Sequence, residues 1–385
     1  MKRWIMIWML FLLGLNQTNA QQPVVGAART WEYVKDLREK KVGLVVNQTS
    51  TIGDTHLVDS LLALGIHVKT IFAPEHGFRG EADAGAHIAN GKDSKTGTPI
   101  VSLYGKKHAP DSLDLVGIDV IVFDIQDVGC RFYTFISTLH YVMEACATHG
   151  KKLIMLDRPN PNGHYVDGPV LKKGFESFVG VDPIPVVHGL TVGEYAMMVK
   201  GENWIKNAVS LDLNVVKCSY YNHNMRYDLP IKPSPNLPNA KAIAWYPSIC
   251  FFEGTNVSVG RGTAMPFQVI GSPYVDSSKM KFMFVPKPAA GASAPFLNGQ
   301  KCFGYDLRMV TPKQLDLEPL IKMYKGFKDK SKFFLKNGFF DKLAGTDDLR
   351  KQIIAGKTAT EIKKSWEAEL NEYNQMRKKY LLYEL

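Results

Sequence analysis

The chain has 385 residues, of which 45% are hydrophobic and 22% charged, with a formal net charge of +10. That length holds two domains and few more, and the balance excludes a disordered or fibrous chain. The basic excess alone admits three explanations: nucleic acid, an acidic extracellular polymer, or solubility.

At the N-terminus, Lys2 and Arg3 precede an apolar stretch from Trp4 to Leu15, and Thr18 and Ala20 occupy the −3 and −1 places of a small-residue exit. This pattern predicts a signal peptide over 1–20, cleaved before Gln21. The apolar stretch is short for a bilayer span. No Cys follows it, so no lipobox is present and no stable membrane anchor is expected. The mature chain, at +8 once Lys2 and Arg3 are gone, is expected to be periplasmic or secreted. Export argues against nucleic acid as a partner.

Next come four apolar runs, each ending in a polar loop. Val42 to Val46 leads into Asn47-Gln48-Thr49-Ser50, and a helix is predicted over Thr55 to Leu64. His67 to Phe72 stops at Pro74 and delivers Glu75, His76 and Arg79 within five residues. Asp119 to Phe123 leads into Asp124, Gln126 and Asp127, then Gly129 and Arg131. A helix follows over Tyr133 to Thr148, with Ile136, Leu139, Val142, Met143 and Cys146 on its apolar face and Gly150 as its stop. Lys152 to Leu156 leads into Asp157-Arg158-Pro159-Asn160. Continuous apolar runs suit strands buried on both faces, and strand alternating with helix predicts a Rossmann-like parallel sheet of the α/β class. In such sheets ligands bind beyond the carboxyl ends of the strands, where these polar loops lie.

Pro183 to Val187 reads as a further strand, and Thr191 to Glu194 as a capping box opening a helix that runs to Gly201. Leu211 to Cys218 alternates like a more exposed strand. The proline-rich passage 232–238 predicts a domain crossing, with a boundary near Tyr246. The N-terminal domain is then 21–246. The remainder, 247–385, is predicted as a smaller α+β domain of short strands and closing helices. In its last helices a second capping box, Thr358 to Glu361, precedes the core stripe Ile362, Trp366, Leu370 and Tyr373.

Familiar chemical signatures are missing. There is no GxGxxG or GxxxxGK[ST] phosphate loop, no GxSxG elbow and no HExxH helix. The histidines lack metal-ligand spacing, although an Asp, Gln and His site assembled from loops stays open. No cofactor and no metal are expected. The five cysteines (130, 146, 218, 250 and 302) show no paired spacing and predict no disulfide framework.

Glu75 is the leading acid/base candidate; the alternative is a capping or ion-pairing role with Arg79. His76 either acts directly or is a structural hydrogen-bonder. Of Asp124 and Asp127, one is expected to order its loop and the other to face the site. Arg131, Arg158 and Arg261 suit bidentate capture of a ligand carboxylate, or else ion pairs. A second dense constellation, residues 251–263, sets Glu253, Asn256 and Arg261 among small residues behind Trp245 and Tyr246. Aromatic faces beside amides and carboxylates make a carbohydrate-like lining; the alternative is a turn-rich connection with a buried Glu.

Four stretches, FAPEHGFRG (72–80), FDIQDVGCRFYTF (123–135), LDRPNPNG (156–163) and FFEGTNVSVGRGT (251–263), resemble in this order the exo-β-N-acetylmuramidase family typified by NamZ. The resemblance covers essentially the whole mature chain. It implies cleavage of β-1,4-linked N-acetylmuramic acid from the non-reducing ends of peptidoglycan fragments, and a Rossmann-like domain plus a smaller C-terminal domain with the site between them. Glu75 matches the family's proposed catalytic residue. Glycoside cleavage needs a proton donor and a group that stabilises an oxocarbenium-like transition state. Glu75 would be the donor. The second role is left among Asp124, Asp127, Glu253 and the substrate's own 2-acetamido oxygen, oriented by a carboxylate or Tyr133. His76, Arg79, Arg131, Arg158, Asn160, Asn256 and Arg261 complete the expected lining, the arginines to meet the lactyl carboxylate. A secreted carbohydrate-binding protein, or an amidase or esterase on the same polymer, are the competing functions.

Overall fold

Seven strands form the central sheet of the computed structural model, which describes residues 21–75, 77, 78 and 90–385. They are β1 (Lys41–Val46), β2 (His67–Ala73), β3 (Gly91–Lys92), β4 (Pro99–Ser102), β5 (Val120–Asp124), β6 (Lys152–Leu156) and β7 (Leu213–Val216). Their order across the sheet is β7-β6-β5-β1-β2-β4-β3. Every neighbouring pair is parallel except β3 with β4. Residues 1–20, expected to be a signal peptide, and His76 and Arg79 lie outside the described residues.

The continuous apolar runs are the cause of this arrangement. All of β5, and all of β1 beyond Lys41, is buried. Alternate residues of each strand feed two cores. Val42, Leu44 and Val46 pack with Tyr33 and Leu37 of α1 (Thr30–Leu37) and Val58 and Leu61 of α2 (Leu57–Ala63). Val45, Phe72 and Phe123 pack on the other side with α3 (Phe135–Thr148) and α4 (Val192–Gly201). The capping box that opens α4 is present, with Thr191 and Glu194 satisfying each other's backbone amides.

The chain winds outward from β1 through β2 to β4, then crosses to β5 on the other side of β1. The switch point therefore lies between β1 and β5. Register sets Val46 opposite Asp124 and Val45 opposite Phe72, so the carboxyl ends of these strands finish level. The polar loops after them share one face of the molecule.

One expectation needs correction. Pro183 to Val187 does not join the parallel sheet: Pro185–Val187 pairs antiparallel with Asp167–Val170 in a separate ribbon. Pro183 and Pro185 cannot donate to a ladder, which confines such a segment to an edge. Across the boundary expected near Tyr246 the apolar packing is continuous. Tyr246 lies inside α5 (Ala240–Ile249), and one apolar cluster runs from Phe123 and Leu139 through Trp245 and Phe251 to Leu320 and Tyr373. Beyond α5 the chain adds a three-stranded antiparallel sheet: β8 (Val269–Ser272), β9 (Phe282–Phe284) and β10 (Cys302–Asp306), in the order β8-β10-β9. Five helices follow: α6 (Glu318–Gly326), α7 (Phe339–Ala344), α8 (Asp348–Ile354), α9 (Ala359–Lys364) and α10 (Glu367–Arg377). The chain then returns to the first sheet, where the Tyr383 hydroxyl donates to Asp157 at 2.6 Å and Leu382 N–H to Glu194 at 2.8 Å.

Candidate active site

Glu75 is the second residue of a turn that closes β2. Pro74 ends the strand because it has no N–H to give, and its carbonyl accepts from Gly77 N–H at 3.0 Å. Gly77 has a φ of +75°, a backbone state that glycine adopts without penalty. The Glu75 side chain stands half-buried at the level of the switch point. Its Oε2 accepts from Thr134 Oγ1 at 2.8 Å, just ahead of α3. Tyr104, two residues past β4, also hydrogen-bonds Glu75; burial first, then the Glu75 charge, pushes its phenol well above the usual range.

Asp124 and Asp127 both lie under the surface. Asp124, fully buried at the end of β5, is held by a fork: Arg158 Nε at 2.5 Å and Nη2 at 2.8 Å. Burial alone would lower the Arg158 guanidinium, but Asp124's charge and hydrogen bonds outweigh it and raise it. Arg158 Nη2 also donates to Thr51 O at 3.1 Å. The pair therefore clamps the ends of β5 and β6 to the loop after β1, and neither group has the freedom to read a ligand. Asp127 is the loop organiser: its Oδ2 accepts from Gly129 N–H at 2.6 Å, 3.6 Å from His188 Nε2. His188 Nδ1 accepts from Leu190 N–H at 3.2 Å, which leaves the ring proton on Nε2, toward Asp127.

Four more candidates hydrogen-bond within the chain. Arg131 is 1% exposed and donates to the carbonyls of Pro169, Ile184 and Leu343 at 2.7–2.9 Å. Burial lowers its pKa to about 10, so it stays charged at neutral pH without a carboxylate. Asn160 donates to Leu190 O at 2.8 Å and accepts from Asn162 N–H at 2.8 Å. Asn256 donates to Lys332 O at 2.7 Å and ties its loop to the segment before α7. Tyr133 gives its one hydroxyl proton to Pro233 O at 2.6 Å. Its phenol is pushed far up by burial and then by the charges of Asp127 and Glu75.

The second constellation meets the first through stacked rings. Tyr133 packs edge-on against Tyr246 (5.8 Å between centroids), and Tyr246 against Phe267 (5.0 Å). Arg261 lies 5.0 Å over the Phe267 ring and its Nε donates to Glu253 at 2.7 Å. Gly260 and Gly262, at φ +81° and +76°, frame Arg261. A Cβ on Gly262 would stand 2.5 Å from Lys287 O, so only glycine lets these loops close. The side chains of Glu253 and Arg261 keep 25% and 23% of their exposure, unlike the Asp124–Arg158 pair at 0% and 4%. Glu75 at one end and the Glu253–Arg261 pair at the other are partly exposed and can meet a polar, acidic ligand; the rings that link them, Tyr133, Tyr246 and Phe267, are buried beneath.

Comparison with known proteins agrees. The profiles "Exo-beta-N-acetylmuramidase NamZ, N-terminal" and "C-terminal" match residues 42–241 and 244–383. The chain belongs to this family. It is 37% identical over 374 residues to the peptidoglycan beta-N-acetylmuramidase NamZ of Bacillus subtilis (strain 168), covering 91% of this chain and 89% of that protein. Two crystal structures of DUF1343 family proteins from Bacteroides fragilis NCTC 9343 are also similar. One has a TM-score of 0.87 at 43% identity, the other 0.81 at 27%; each comparison covers 94% of this chain and 99% of the other.

In this member of the muramidase family, Tyr104 and Thr134 are the site residues that sequence reasoning missed. The short run Ile100-Val101, closed by Ser102-Leu103-Tyr104-Gly105, obeys the same strand-end rule as the four longer runs. Its signal was there, in a run of only four strand residues. Thr134 stood beside Tyr133, but nothing in the sequence says which of two adjacent hydroxyls faces Glu75.

Proposed function

We propose that the chain is an exo-acting glycoside hydrolase that releases β-1,4-linked N-acetylmuramic acid from the non-reducing ends of peptidoglycan fragments, with Glu75 as its general acid. The observation that carries the assignment is the setting of Glu75: half-buried at the end of β2, hydrogen-bonded by the Thr134 hydroxyl and by Tyr104. A fixed carboxyl there can pass its proton to the departing glycosidic oxygen, and the ring carbon it leaves gains oxocarbenium character. Asp124 and Asp127 lie beneath the surface, which supports giving the stabilising role to Glu253 or to the substrate's own acetamido oxygen. The N-terminal segment supports export into the periplasm or medium. Among the described residues no helix is long and apolar enough to cross a membrane.

Glu75→Gln keeps the shape and the Thr134 contact but has no proton to donate. Its kcat on a MurNAc-GlcNAc disaccharide is expected to fall on the order of a hundred- to ten-thousand-fold, with the circular dichroism spectrum unchanged. Near-normal turnover by the purified variant would remove Glu75 from this role. N-terminal sequencing of the exported protein is expected to begin at Gln21; a start at Met1 would refute cleavage.

A further inference from the structure

A cleft of about 510 Å³ lies apart from Glu75, between the loop after β6, residues 224–228, the first turns of α5 and residues 311–313. Its volume is in the range that holds a small ligand, roughly 300–1,000 Å³. Arg226, Lys241 and Lys313 line it against a single carboxylate, Asp228. Arg226 and Lys313 are exposed and make no ion pair among the described residues. Lys241 donates to Arg308 O and faces Asp306, whose charge Arg308 already meets at 2.7 Å. The lining is thus cationic, and a cleft of one sign concentrates ions of the other. Its floor is rigid: Asn162 Nδ2 donates to Val128 O at 2.8 Å and to Ile243 O at 3.3 Å. Tyr227 supplies an aromatic side chain to the wall.

The cleft opens on the same end of the sheet as Glu75. Asp228 precedes Pro233 by five residues, at most about 18 Å of chain. The Pro233 carbonyl is held by Gln48 and by Tyr133, the neighbour of Thr134. A fragment seated at Glu75 by its first sugar can therefore reach the cleft with a later one.

We propose that this cleft binds the carboxylates of the departing peptidoglycan fragment. The inference rests on the muramidase assignment above. In a polymer of alternating amino sugars, the next muramic unit again carries a lactyl group, either as a free carboxylate or extended by a peptide with carboxylates of its own. Both sources present the same chemistry to Arg226 and Lys313.

The test compares three substrates: the MurNAc-GlcNAc disaccharide, the peptide-free tetrasaccharide, and the tetrasaccharide with a peptide on its second muramic unit. In Arg226→Ala/Lys313→Ala the ratio of kcat/KM for tetrasaccharide over disaccharide is expected to fall about tenfold, mostly through KM. A fall already present without peptide assigns the lactyl carboxylate; a fall confined to the peptide-bearing substrate assigns the peptide. A ratio equal to that of the unmodified enzyme on both tetrasaccharides overturns the proposal. Calorimetry of tetrasaccharide binding on a Glu75→Gln background reads the cleft without turnover. If the unmodified enzyme releases no muramic acid while the cleft variant still weakens binding, the muramidase assignment falls and the cleft stands. If turnover is present and neither ratio nor binding changes, the cleft falls alone.

Discussion

Four arginines stood in candidate site loops, and burial sorts three of them. Arg131 donates to three carbonyls and Arg158 is forked to Asp124, and at 1% and 4% exposure both lie beneath the surface. Arg261 keeps solvent access over the buried Phe267 ring, with Glu253 on one side of its guanidinium. Arg79 lies outside the described residues. Arg261→Ala is expected to lower kcat/KM on a chromogenic N-acetylmuramic acid substrate about ten- to a hundredfold and to spare an N-acetylglucosamine substrate, which has no carboxylate to lose. Arg261→Lys keeps the charge without the planar fork and is expected to fall between them. A ratio of the two activities that does not move in either variant would place lactyl recognition elsewhere.

At the level of elements, the carboxyl end of β6 is fastened by the C-terminal tail. Asp157, fully buried, accepts from Thr191 Oγ1 at 2.7 Å, Gly193 N–H at 2.8 Å and Tyr383 OH at 2.6 Å. Burial raises its pKa from 3.8 to about 6; Tyr383's hydrogen bond lowers it, Glu194 raises it, and Gly193 and Thr191 lower it. Because the folded value lies above the unfolded one, the native state binds more protons between them. Stability from this group is greatest below about pH 4, is lost as the pH rises toward 6, and is flat above. The loss is on the order of 3 kcal/mol. Asp157→Asn removes the titration, so chemical denaturation of the two proteins is expected to show the variant gaining relative stability between pH 4 and 6. Parallel curves across that window would show that Asp157 does not titrate there.

At the level of the whole molecule, the two halves share one apolar cluster. The apolar cluster that backs β5 and α3 continues into Phe251, Phe340 and Tyr373. Arg131 adds a polar tie, from the loop after β5 to the Leu343 carbonyl in the last turn of α7, where the helix dipole favours a cation. Unfolding followed by circular dichroism and by tryptophan fluorescence is expected to give one coincident transition. Residues 21–246 expressed alone are expected to be insoluble, since the cut exposes the faces that bury those rings. Two separated transitions, or a soluble, cooperatively folding fragment, would show that the core is divisible.

By itself the sequence determined the parallel sheet, most of its strands and the loops where chemistry gathers. The reason is local: a strand buried on both faces must be apolar throughout, and the polar residues it carries can only collect at its ends. The capping boxes at Thr191 and Thr358 were legible for the same reason, since each closes within four residues. Tertiary structure alone decided which polar residues are spent. Arg131 and Arg261 look alike in sequence, both among glycines and aromatics. One reaches carbonyls 38, 53 and 212 residues away and is sealed in; the other pairs with Glu253 eight residues back at a partly open surface. A donor's partners are set by whichever acceptors the fold brings within about 3 Å, and such contacts across the chain leave no period or spacing for the sequence to display.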